Sequence, residues 1–124
     1  MVRVLVVEDD EQVRTMLRMT LEQAGYEIEE AADGVAAGLA QRRRPVDLVI
    51  TDIVMPEQDG LATIIDLRKN YPVTKIIAIS GGGSTSPGCY LEPAKALGAD
   101  LTFPKPITRE RLLGAVRELV GEPE

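Results

Sequence analysis

Short apolar runs, each followed by a segment of helical periodicity, constrain this chain more than any other feature. Val2 to Val7 (VRVLVV), Val46 to Thr51 (VDLVIT) and Lys75 to Ile79 (KIIAI) are rich in β-branched residues and of strand length. Such runs suit strands covered on both faces. Tyr26 to Ala31 alternates weakly and reads as another strand, and Leu101 to Phe103 is a short fifth. After the first run, Val13, Met16, Leu17, Thr20, Leu21 and Ala24 recur at helical spacing until Gly25 stops the helix. Asp33 can cap a second helix that carries Val35, Ala36, Leu39 and Ala40 inward. Arg42, Arg43 and Arg44 suit its C-terminus, and Pro45 forbids continuation.

A third helix follows Gly60 with Leu61, Ile64, Ile65 and Leu67. Ser80 to Gly88 (SGGGSTSPG) is a loop by composition. The fourth helix carries Ala94, Ala96 and Leu97, ends at Gly98, and is expected to start near Cys89 or Tyr90. Pro93 then falls in its first turn, where the missing N–H costs little. Thr108 caps a last helix with a stripe of Leu112, Leu113, Val116, Leu119 and Val120. Strands alternating with helices imply right-handed parallel βαβ units. The expected class is α/β, an open, doubly wound five-stranded sheet with helices on both faces.

The 124 residues fit one domain, 1–124, able to bury roughly two-thirds of its unfolded surface. With 3% aromatic residues, aliphatic side chains must fill the core. A net charge of −6 argues against a nucleic-acid partner, which needs a clustered positive field. The single Cys89 rules out an internal disulfide, and the absence of His excludes His-ligated metals and His bases. No apolar run approaches the roughly 20 residues of a membrane span, so no membrane association is expected. The N-terminus opens on a strand-like run without a signal peptide, which makes the cytoplasm the expected location.

Ligands of open α/β sheets bind outside the carboxyl ends of the strands. Those ends carry Glu8-Asp9-Asp10, Asp52, Ser80 and, after the fifth strand, Lys105-Pro106. Singly, each has a plainer reading: helix cap, Asx turn, loop hydroxyl, surface lysine. Jointly, acids from two strands, a hydroxyl and an amine meet at one edge. Clustered carboxylates repel unless a cation sits among them, and an all-oxygen set without His or thiolate suits Mg²⁺ with an open position for a phosphoryl group. Lys105 could meet a phosphate oxygen, Ser80 could donate to another, and Asp52, from the middle strand, could form an acyl phosphate.

The segments VLVVEDD, VITDIVMPEQDG, IAISG and FPKP, in this order, resemble the receiver domain of two-component response regulators, the chemotaxis-type fold. The resemblance covers essentially the whole chain. It implies a flavodoxin-like (βα)5 sheet of strand order 2-1-3-4-5 and Asp52 as the phosphoacceptor; with no output domain after Glu124, a stand-alone single-domain regulator is expected. Asp9 would ligate Mg²⁺ directly, Glu8 mostly through water, and the Val54 carbonyl would complete the protein's share of the shell. Ser80 would be the switch hydroxyl, and Lys105 would pair with the phosphoryl group, with a cis Lys105–Pro106 bond.

The implied partners are a sensor histidine kinase or a histidine phosphotransfer protein, and a downstream protein target. A weak homodimer through the fourth and fifth helices stays open. The chain would catalyse only its own phosphorylation and dephosphorylation. One departure stands out: three residues before the Lys, where many receivers carry an aromatic switch residue, this chain has Thr102, with Phe103 following. Two alternatives are a small Mg²⁺-dependent phosphatase of the haloacid-dehalogenase type and a degenerate receiver acting as a constitutive docking module. The phosphatase needs a second acid two residues after its nucleophile, where this chain has Val54.

Overall fold

The computed structural model describes residues 2–53, 60–80 and 94–123. The strands are β1 (Arg3–Val7), β2 (Glu27–Ala31), β3 (Leu48–Asp52), β4 (Lys75–Ser80) and β5 (Leu101–Pro104). The helices are α1 (Glu11–Gln23), α2 (Gly34–Arg43), α3 (Gly60–Asn70), α4, described over residues 94–97, and α5 (Arg109–Val120). All strand pairs are parallel, and the sheet order is β2-β1-β3-β4-β5. This is the doubly wound arrangement that the alternation of runs predicts, in the flavodoxin-like strand order that the resemblance implies. Among the described residues no helix is long and apolar enough to cross a membrane.

The period of two along each strand divides the core. Leu5, Val7, Val49, Ile76 and Ala78 pack with Ala37, Ala40, Ile64, Leu67 and Ala94 under α2, α3 and α4. Val4, Val6, Leu48, Ile50, Ile77 and Ile79 pack with Leu17, Leu21, Leu112 and Val116 under α1 and α5. Because both faces are covered, the central strands are mostly apolar between their ends.

The helix starts follow the expected chemistry. Asp10 Oδ1 accepts from the N–H groups of Gln12 and Val13 (2.9 and 3.3 Å) and caps α1. Asp33 caps α2 through the Ala36 N–H at 2.8 Å, and Thr108 caps α5 through the Arg111 N–H at 3.2 Å. Gly25 and Gly98 close their helices with φ of 106° and 128°, in the region that favours glycine.

One expectation fails. Val35 and Leu39 do not point inward: they are 56% and 51% exposed, while Gly34, Ala37, Ala40 and Gln41 form the buried face of α2. Close approach to the sheet and to α3 selects small residues there, so the larger aliphatics turn to solvent. Gln41 is fully buried because its amide is satisfied, accepting from the Val46 N–H at 2.8 Å and donating to Thr74 Oγ1 at 3.1 Å. The start of the fourth helix near Cys89, the segment 54–59 and the loop after Ser80 lie outside the described residues.

Candidate functional site

Parallel pairing brings the carboxyl ends of the strands to one edge, and register decides which side chains meet there. Val7 pairs with Thr51, so Glu8 follows β1 beside Asp52, the last residue of β3. The alternation that turns Val4 and Val6, and Leu48 and Ile50, toward α1 and α5 gives Glu8 and Asp52 that same sheet parity. Ile79 pairs with Asp52, which sets Ser80 one residue beyond it on β4. The Lys105 N–H donates to the Ser80 carbonyl at 2.9 Å, carrying the chain from β5 back over the edge, and the Lys105–Pro106 bond is cis.

The side chains converge. Lys105 Nζ lies 2.8 Å from Glu8 Oε1 and donates to Asp52 Oδ2 at 3.2 Å. Glu8 is 2% exposed and Asp52 5%, while Asp9 is open to solvent. Carboxylate oxygens of Glu8, Asp9 and Asp52 all fall within 4.8 Å of one another. The second oxygen of Glu8 accepts from the Asp10 N–H at 3.1 Å. Ser80 is fully buried, and its Oγ has no hydrogen-bond partner among the described residues. Val54 lies outside the described residues, so the carbonyl assigned to it from sequence has no geometry here.

Three carboxylates against one ammonium leave the cluster electronegative. Burial raises the Glu8 pKa above its usual range, with the Asp52 charge adding to it; the Lys105 hydrogen bond opposes the rise without cancelling it. For Lys105, burial works against the charged form, but the bond to Glu8 and the field of Asp52 outweigh it, and the net shift is upward. The site therefore holds a protonated lysine among acids that gain from a further cation. Its donor set, oxygen only and close enough to share one ion, fits a small hard dication.

The sequence picked out every member of this cluster but missed two relations. It gave Lys105 to a phosphate, whereas its shortest contact is Glu8. It also passed over Arg14, whose Nη1 donates to the Glu8 carbonyl at 2.8 Å. The available signal was a cation near the N-terminus of a helix, where the dipole disfavours it. Thr102, half-buried, pairs with Ala78. Phe103 lies on the other face, packed with the α1/α5 core and 6.0 Å from the Arg111 guanidinium, so its ring does not replace an aromatic at position 102.

Comparison with known proteins is consistent across sequence and structure. The response regulator receiver domain family matches residues 4–117. The response regulator MprA of Mycobacterium sp. (strain KMS) is 40% identical over 122 residues, covering 96% of this chain and 50% of that protein. Sensor kinase CckA of Brucella abortus is 39% identical over 124 residues, 94% of this chain and 12% of that protein. The chain thus spans half the length of one relative and a small part of the other. Among solved structures, chemotaxis protein CheY4 of Vibrio cholerae superposes with a TM-score of 0.86 at 34% identity, covering 97% of this chain and 99% of that one. The receiver domain of NtrX from Brucella abortus gives 0.88 at 28% identity, covering 94% and 97%.

Proposed function

The chain belongs to the response regulator receiver domain family, and from that premise we propose that Asp52 accepts the phosphoryl group of a phosphorelay. The observation that carries this is the buried Asp52 carboxylate at the end of the central strand, bonded to Lys105 and within reach of Glu8 and Asp9. A carboxylate oxygen of Asp52 attacks phosphorus in line. An O–P bond forms, the P–N bond to a phosphohistidine breaks, and the electron pair leaves on the imidazole. The donor is a sensor histidine kinase or a histidine phosphotransfer protein, since this chain has no His. Hydrolysis by water resets the site, and these two steps are the only chemistry the chain performs.

Glu8, Asp9 and Asp52, with the Val54 carbonyl, would hold Mg²⁺, which neutralises charge on the transferring group. Lys105 stays protonated and passes from Glu8 to a phosphoryl oxygen. The Ser80 hydroxyl, without a partner among the described residues, is a donor ready for another. The donor docks over α1, where Met16 and Met19 are about half exposed and Met16 borders an apolar cavity of about 110 Å³. Val13, Leu17, Ile79 and Ile107 line that cavity with the Lys105 stem. Output is contact with a downstream protein. With no ring at position 102, it is driven by Ser80, Lys105 and their loops.

Acetyl phosphate with Mg²⁺ should label the wild-type chain, and Asp52→Asn or a chelator should abolish the label. Label retained on the Asn variant would move the acceptor elsewhere.

A further inference from the structure

Arg14 touches no reacting group in the proposed chemistry, yet its bonds are those of an anchor. It lies on α1, four residues after the cap residue Asp10, whose carbonyl accepts the Arg14 N–H at 2.9 Å. Its side chain runs back against the helix direction and is only 18% exposed. Nη1 donates to the Glu8 carbonyl at 2.8 Å, and Nε pairs with Glu30 Oε1 at 3.1 Å. The other oxygen of Glu30 lies 2.9 Å from Arg18 Nε, a close ionic approach without hydrogen-bond geometry. The guanidinium is therefore fixed at both ends, by the edge strand β2 and by the β1–α1 loop.

The Glu8 carbonyl belongs to the peptide plane that carries the Asp9 N–H. The Glu8 N–H is held by the Ala31 carbonyl at 3.0 Å, so Arg14 fixes the remaining freedom of that turn. Glu8 has side-chain partners of its own, Lys105 and the Asp10 N–H. Asp9 is exposed, and no side-chain bond holds it among the described residues. Its direction toward Asp52 is therefore set by its backbone, in which Arg14 holds the Glu8–Asp9 peptide and Glu8 Oε2 holds the Asp10 N–H.

We infer that Arg14 is a positioning residue for the cation site: by locking the Glu8–Asp9 peptide it aims the Asp9 carboxylate at the oxygens of Glu8 and Asp52. This rests on reading those three acids as the Mg²⁺ site. Outer-shell groups that orient a ligand typically change metal affinity by roughly 10–100-fold when removed.

The sign of the effect separates this role from a simple field effect. Removing a positive charge near an acid cluster should, by Coulomb's law alone, tighten Mg²⁺ binding. Loss of positioning should weaken it. The experiment is a Mg²⁺ titration of the full chain, followed by calorimetry or amide chemical shifts, on wild type, Arg14→Gln, Arg14→Lys and Arg18→Gln. A urea unfolding curve for each reports stability. Arg14→Gln should raise the Mg²⁺ Kd about tenfold. Arg14→Lys keeps the charge but lacks the fork that spans Glu30 and the Glu8 carbonyl, so it should also weaken binding and serves if the Gln variant does not fold. Arg18→Gln removes the other cation beside Glu30, which has no bond to the Glu8 carbonyl, and should leave Kd unchanged. If both Arg14 variants bind as tightly as wild type, or tighter, the inference is overturned while the site reading stands. A wild-type chain that takes up no Mg²⁺ overturns both.

Discussion

Lys105 is the resident counter-ion of a site whose three carboxylates suit a further cation. Glu8 and Asp52 are nearly solvent-free, and each lies within 3.2 Å of its ammonium. Removing one partner of a buried ion pair leaves a charge that is neither solvated nor neutralised, at a typical cost of about 3–5 kcal/mol. The Lys105 side chain is 23% exposed, so water can reach the gap, and we expect about 2–3 kcal/mol for Lys105→Met. The proposed Mg²⁺ would bind the folded form and supply the missing charge, so millimolar ion should restore much of the loss. Urea midpoints with chelator and with Mg²⁺ would check this, and an equal deficit in both would mean that Lys105 does not share the cation's electrostatic role. Position by position, the chemistry of this edge was legible in the sequence because residue type and strand end specify it. The Glu8–Lys105 pair was not, since it depends on how far a longer acid reaches across two strand ends.

The elements are held by contacts that vary in how openly the sequence displays them. Parallel strands announce themselves, because burial on both faces demands apolar runs. The inward face of α2 was hidden: Gly34, Ala37 and Gln41 face the core for reasons of space and hydrogen bonding that hydrophobicity alone does not encode. Gly98 was legible as a helix stop but not as a joint. Its carbonyl accepts from Arg68 Nε and Nη2 at 3.2 and 2.7 Å, and the same guanidinium reaches Asp100 at 2.9 Å, tying α3 to the approach of β5. A Cβ built on Gly98 would lie 3.0 Å from Arg68 Cγ, at a φ of 128° that side chains rarely adopt. Gly98→Ala should therefore lose about 1–3 kcal/mol, backbone strain and displacement of Arg68 acting together. Chemical denaturation against wild type measures it; a loss below about 0.5 kcal/mol would mean that the turn relaxes freely.

At the scale of the whole molecule, one bond links the start of β2 to the end of α5. The Tyr26 hydroxyl donates to the Gly121 carbonyl at 3.0 Å, across 95 residues of sequence, and Pro123 folds back to within 3.1–3.3 Å of a Cβ built on Gly25. Tyr26 is 4% exposed, and burial, with the nearby Glu122 carboxylate, raises its pKa above 10.0, Arg117 opposing only in part. The folded chain thus keeps the phenol proton at a pH where the unfolded chain releases it. The resulting stability is complete below pH 10 and is lost as pH rises through the folded pKa. Tyr26→Phe deletes the hydroxyl and leaves the Gly121 carbonyl without this donor, for about 1 kcal/mol at neutral pH. Phe has no proton to lose, so its stability is spared the alkaline penalty that Tyr26 imposes on wild type. The gap between the two proteins should narrow from about pH 10 upward, by at most about 1.4 kcal/mol per pH unit within the window between the two pKa values. Lysines and the other tyrosines titrate alike in both proteins and cancel in the difference. Unfolding free energies at pH 8, 9, 10 and 11 would trace the gap. Parallel curves would place the Tyr26 hydroxyl in water and dissolve the link between β2 and the end of α5.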